Sequence, residues 1–226
     1  MKTRRRTVEE RTYFIVTESD PIFDEAFREL EFSQVEDGYA RIFPANSPNI
    51  DDIYARFELN VEEMLLQTAR IHPVQWEQAL LLLLERTQAY PHFNWFLGGS
   101  AALAARGLDI MPRDIDLITD DEGAHLLQKL LLDYAIEPLQ DSRGWISDWF
   151  GRAFVNARVE WVGNVDASVD IPEIADFGPA AALRLETLSW HGYTLRVPPL
   201  DLQLQVSERR GLHDRVEKIK QLLSTR

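Results

Sequence analysis

The chain has 226 residues, 45% of them hydrophobic, no cysteine and a formal net charge of −13. That supplies one sizeable core, or a main unit with a smaller appendage. It excludes a disulfide framework, a thiolate zinc site and a cysteine nucleophile, and the acidic balance argues against extended nucleic-acid binding, which needs a basic surface.

In chain order, Lys2–Arg6 reads as a charged terminal tail. The apolar stretch behind it, Tyr13–Val16, is too short for the core of an export signal. Tyr13–Thr17 reads as a strand, and Asp20-Pro21 as a helix start carrying Ile22, Phe23, Ala26, Phe27 and Leu30 on one face. Asp37-Gly38 inside Val35–Phe43 is a hairpin signal. Tyr54, Phe57, Val61, Met64, Leu65 and Thr68 form a helical stripe, with Asn60 and Glu63 resembling a capping box that would split it in two. Trp76, Leu80, Leu83 and Thr87 mark the next helix. Its apolar run, Ala79–Leu84, is far too short to span a bilayer, so no membrane contact is expected and the cytoplasm is the expected compartment.

Phe93–Leu97 then reads as a strand, Ser100–Arg106 as an alanine-rich helix closed by Gly107, and Asp114–Thr119 as a second strand. Leu126, Leu127, Leu130, Leu131 and Tyr134 stripe a helix. Arg158–Gly163 and Leu195–Val197 read as strands, and Leu212, Val216, Ile219 and Leu223 as a closing helix. The expected class is α+β, a short mixed sheet flanked by helices. The expected organisation is a small α/β appendage (1–50), a helical segment (51–90) and a main domain (91–226).

Chemistry concentrates in the main domain. Glycines at a strand end let backbone approach a ligand, and the helix behind them offers free N–H groups to an anion. Gly98, Gly99 and Ser100 therefore read as a phosphate cradle, although a tight turn with a serine cap is the plainer reading of those three residues alone. Asp114 and Asp116 project from one strand face. Two carboxylates so placed repel, and a hard divalent cation relieves the conflict; a solvated edge strand is the alternative. Glu160, an acid among Val159, Trp161 and Val162, is the expected third ligand, with Asp166 and Asp170 as competitors on loop-like sequence. Three carboxylates would hold two cations, and Glu160 would serve as ligand or proton acceptor.

Leu97-Gly98-Gly99-Ser100, the thirteen residues Ala101–Arg113, Asp114-Ile115-Asp116-Leu117 and the later Glu160 together resemble the nucleotidyltransferase superfamily that includes DNA polymerase beta and the aminoglycoside nucleotidyltransferases. The resemblance covers Phe93–Gly163 and extends loosely to Arg209-Arg210-Gly211 and Asp214. It implies a nucleotidyltransferase-like core, a nucleoside triphosphate such as ATP, Mg²⁺ (two ions), pyrophosphate release and in-line attack by a hydroxyl of a small-molecule or protein acceptor. Asp114, Asp116 and Glu160 would be catalytic and metal-binding; Gly98, Gly99, Ser100, Arg113 and Arg152 would bind nucleotide. A Glu is less usual than an Asp as third acid. This leaves open a weak or inactive nucleotide-binding module, and small relatives also leave open a toxin of a toxin–antitoxin pair.

Trp145, Trp149, Trp161 and Trp190 are candidates for ring stacking or for packing, with Trp149 and Phe150 foremost for a ligand. Arg143 joins Arg152 as a candidate for triphosphate charge. The five histidines show no metal-ligand spacing, and no Walker-type lysine follows the glycines.

Overall fold

The computed structural model describes residues 1–224. The chain begins with β1 (Lys2–Val8), β2 (Arg11–Thr17), α1 (Asp24–Glu29), β3 (Ser33–Val35) and β4 (Gly38–Pro44), which form an antiparallel sheet in the order β1-β2-β4-β3. Lys2–Arg6 is thus an edge strand rather than a tail, paired from Lys2 opposite Thr17 to Val8 opposite Arg11. Its basic side chains find acids on neighbouring elements: Lys2 with Glu18 at 2.7 Å, Arg4 with Asp37, and Arg5 with Asp51. A charged edge of this kind also discourages pairing with further strands.

α2 (Ile50–Thr68) is one uninterrupted helix. Asn60 does not cap a second one; its amide donates to the Arg56 carbonyl one turn back. The helix stays whole because both halves of its stripe face one core, where Ile53, Phe57, Val61, Met64 and Leu65 meet Phe14, Phe27 and Phe43. The rings of Phe14 and Phe43 lie 5.0 Å apart, edge to face. Ala135, Ile136 and Phe154 belong to the same cluster.

After α3 (Trp76–Thr87) come β5 (Trp95–Leu97), α4 (Gly99–Ala105), β6 (Ile115–Thr119), α5 (Asp121–Leu130), β7 (Gln140–Asp141), β8 (Ser147–Phe154) and β9 (Arg158–Val165). They build a five-stranded sheet in the order β5-β6-β9-β8-β7, with β6 and β9 parallel and the other pairs antiparallel. A short α6 (Pro179–Ala182), the hairpin of β10 (Glu186–Trp190) and β11 (Tyr193–Val197), and helices α7 (Leu200–Arg209) and α8 (His213–Ser224) complete the α+β fold. Among the described residues no helix is long and apolar enough to cross a membrane.

Period-two alternation decides what each face of this sheet does. Ile115, Leu117, Val159 and Trp161 are buried with α3, α4 and α5 against Leu80, Leu83, Ala101, Ala124 and Leu127. Gly151 of β8 lies flat on this layer, since a Cβ there would sit 2.1 Å from the Trp161 indole. The intervening residues Asp116, Glu160 and Arg152 point the other way. Behind α4, Leu103, Leu108, Leu200 and Ile219 form a small cluster that anchors α7 and α8 beside it.

Truncating Phe57, which is fully buried, to alanine should cost about 3–5 kcal/mol in urea unfolding. Leu59→Ser, two residues along on the exposed face (81% accessible), should change stability by less than about 0.5 kcal/mol.

Candidate metal centre and adjoining cleft

Register assembles the site. Asp116 of β6 stands opposite Glu160 of β9, which stands opposite Arg152 of β8, so one row across the sheet reads carboxylate, carboxylate, guanidinium. Asp114 lies two residues before Asp116 and Arg158 two before Glu160, so the next row places this acid beside this arginine on the same face. One oxygen from each of Asp114, Asp116 and Glu160 lies within 4.8 Å of the others. Gly99, the first residue of α4, closes the group with φ +57°; a Cβ at this position would be 2.0 Å from Asp116 Oδ2. A residue with a side chain would therefore be both strained and in collision with the carboxylate.

The acids sit at one end of a buried chain of charges. Arg41 of β4 donates to both oxygens of Glu137 at 3.0 and 2.8 Å. Glu137, fully buried, also pairs with Arg152, whose Nε donates to Glu160 at 2.7 Å. Arg158 donates to Asp114, and its Nε lies 3.4 Å from Glu160. The carbonyls of Leu30 and Glu31, just past α1, accept from Arg152 and Arg41, a favourable use of a negative helix end. Glu29 of α1 pairs with both Arg113 at 3.1 Å and Arg158 at 3.4 Å.

These partners split the acids. Burial raises the Asp116 carboxyl well above the usual carboxylate range, Asp114 and Glu160 add to the rise, and Arg158 opposes it. Burial pushes Glu160 in the same direction, but Arg152 and then Arg158 overcome it and hold Glu160 below its ordinary value. Among the described residues Asp116 has no ion-pair partner, so it is the acid whose repulsion an added cation would relieve. An all-oxygen, all-carboxylate donor set suits a hard divalent ion such as Mg²⁺.

A cavity of about 240 Å³ opens from Gly99, Asp116 and Glu160 between Trp145, Phe150 and Phe177, with Asp176, Arg210 and Arg215 on its far side. Burial raises Asp176, although the three arginines Arg210, Arg215 and Arg209 oppose the rise. Burial and then Arg210 lower Arg215. Arg215 also borders a second cleft of about 580 Å³, which holds Ser100, Arg113 and Arg70.

The structure thus brings together Asp114, Asp116 and Glu160, with Gly98 and Gly99 against them and Ser100 and Arg113 one cleft away. Arg152, expected against a triphosphate, is instead buried between Glu137 and Glu160, where its charge holds Glu160 in place. Arg143 pairs with Asp141 on an exposed turn. Asp166 accepts from the backbone N–H of Ser168 at 2.7 Å, and Asp170 from those of Ala175 and, in α6, Ala180 at 2.9 and 2.8 Å. Of the tryptophans, Trp161 and Trp190 are core, Trp149 donates to Asp121 on the other face, and half-exposed Trp145 faces the cavity with Phe150. Sequence reasoning missed Glu29, Arg41, Glu137, Arg158, Asp176 and Arg215. Arg158 alone carried a signal, its position two residues from Glu160 on a strand; the others arrive from distant elements.

No protein-family model matches the chain, and no curated protein matches it. Among solved structures it is similar to a Thermotoga maritima protein described as a proposed nucleotidyltransferase, with 22% identity, TM-score 0.48, and 66% of this chain and 92% of that one covered.

Two substitutions should move stability in opposite directions. The Asp116 pKa is raised in the folded state, so its contribution is fully present below the unfolded carboxylate pKa and is lost as pH rises through the folded value. Asp116→Asn should remove that loss and raise Tm in EDTA at pH 7 by at least about 2 °C, with the gain vanishing towards pH 4. Glu137→Gln should leave Arg41 and Arg152 buried against each other and cost about 3–5 kcal/mol in denaturant unfolding.

Proposed function

We propose that the chain is an enzyme that transfers a nucleotidyl group from a nucleoside triphosphate to a hydroxyl of a small-molecule or protein acceptor. The observation that carries this reading is the convergence of Asp114, Asp116 and Glu160 beside Gly99, because it is the arrangement that the sequence motifs require. In this proposal Asp114, Asp116 and Glu160 hold Mg²⁺, which when bound neutralises charge building on the transferred phosphoryl group and activates the attacking hydroxyl.

The chain's own residues divide the remaining work. Gly98 and Gly99 bring backbone close to Asp116, and the first N–H groups of α4 would be available to phosphate oxygens there. Ser100 and Arg113 extend this polar wall into the second cleft. Arg210 and Arg215 supply positive charge across the cavity for the triphosphate and the departing pyrophosphate. Trp145, Phe150 and Phe177 give an apolar wall suited to a planar ring.

The acceptor oxygen forms a bond to the α-phosphorus while the bond from that phosphorus to the bridging oxygen of the β-phosphate breaks. Pyrophosphate leaves with that electron pair, and the acceptor proton passes to water at the cavity mouth. Glu160 is a poor proton acceptor, because Arg152 and Arg158 stabilise its charged form; this favours the role of ligand over that of base. A cysteine-free chain acting on a nucleoside triphosphate also fits the cytoplasm as its place of work.

The test is label transfer from each of four α-³²P nucleoside triphosphates with Mg²⁺ and a cell extract as acceptor source. Wild type should label a discrete product and release pyrophosphate. Asp116→Asn, verified as folded, should lose about 10²–10³-fold of that rate, the scale of losing a charge-stabilising group. Absence of transfer from all four nucleotides would overturn the reading.

A further inference from the structure

Three carboxylates around a triphosphate suggest two divalent ions, yet one of the corresponding positions already contains a cation of the protein. Arg158 leaves β9 on the same face as Glu160 and inserts between two of the acids. One terminal nitrogen donates to Asp114 Oδ2, and Nε lies 3.4 Å from Glu160 Oε1. Glu29, from the N-terminal sheet unit, also accepts from that terminal nitrogen, at 3.4 Å. Arg158 as a whole residue is 5% exposed. The charged fork forms ion pairs with three carboxylates, and extracting it would strand buried charges.

The remaining geometry is lopsided. Asp114 and Glu160 each have an arginine, and Asp116 has none among the described residues. Asp116 also lies against Gly99, and it lines the cavity together with Glu160. An entering cation therefore meets one acid without an arginine, with one oxygen from each of its two neighbours within 4.8 Å. The space between Asp114 and Glu160 is already filled.

Resting on the metal-centre reading above, we propose that Arg158 stands in for one of the two divalent ions, so that the cluster binds a single ion, centred on Asp116. Arg158 is then a fixed cation of the site, and a positioning residue for both Asp114 and Glu160.

Mn²⁺ binding to the full chain tests this by calorimetric stoichiometry and by electron paramagnetic resonance, with Mn²⁺ alone and with one equivalent of a non-hydrolysable nucleoside triphosphate analogue. Wild type should bind one protein-held ion and give a spectrum without spin coupling. Arg158→Met, which keeps the length and removes the charge, should bind two, with the exchange coupling of ions about 4 Å apart. Arg158→Lys should stay at one. A coupled pair in wild type would overturn the inference without reference to any variant, as would a single ion in a folded Arg158→Met. Absence of Mn²⁺ binding by wild type under both conditions would remove the metal-centre reading itself, and the inference with it.

Discussion

The structure depends on keeping Glu160 charged while most of its side chain is withdrawn from water. Burying a carboxylate is costly unless it is paired and hydrogen-bonded, and here the pairing is relayed. Arg152 neutralises Glu160, Glu137 neutralises Arg152, and Arg41 of the N-terminal sheet neutralises Glu137. The relay runs from one sheet to the other, so the N-terminal elements contribute to the electrostatics of the acid cluster without touching its cavity. Side-chain networks of this kind specify one arrangement because a half-satisfied version is worse than none.

The same relay gives two similar acids opposite tendencies. Arginines hold Glu160 toward its charged form, whereas burial pushes Asp116, which has no ion-pair partner among the described residues, toward its neutral form. Cation binding at Asp116 would then release a proton, and affinity would rise with pH for a reason that lies in the protein rather than in the ion. The third acid being a glutamate fits the geometry: its register is directly opposite Asp116, and the longer side chain reaches both the arginines and the cluster.

Much of this was legible in the residues. The class, the central strands bearing Asp114, Asp116 and Glu160, and the helix behind Gly99 all follow from local rules: strand alternation, an alanine-rich run and a glycine stop. What was hidden involved long sequence separation. Arg152 sits on a strand beside aromatic residues, and only its pairing with Glu137 and Glu160 shows that it faces inward. β8 itself escaped notice because Gly151 and Arg152 interrupt its pattern, the glycine to admit Trp161 and the arginine to meet two acids. Lys2–Arg6 reads as a tail because its charges outnumber its apolar groups; pairing with β2 makes it a strand, and Glu18, Asp37 and Asp51 take up three of its charges. The break expected at Asn60 did not occur because a continuous core outweighed one capping signal.

The contact between Gly99 and Asp116 also constrains how this chain can change over generations. Every single-nucleotide missense change of a glycine codon introduces a residue with a Cβ, and at position 99 each would meet a carboxylate oxygen and a left-handed backbone together. No stepwise neutral path leads away from glycine there. Losing the Asp116 carboxylate would lift the collision but leave the strain of φ +57°, so the turn favours glycine on two separate counts.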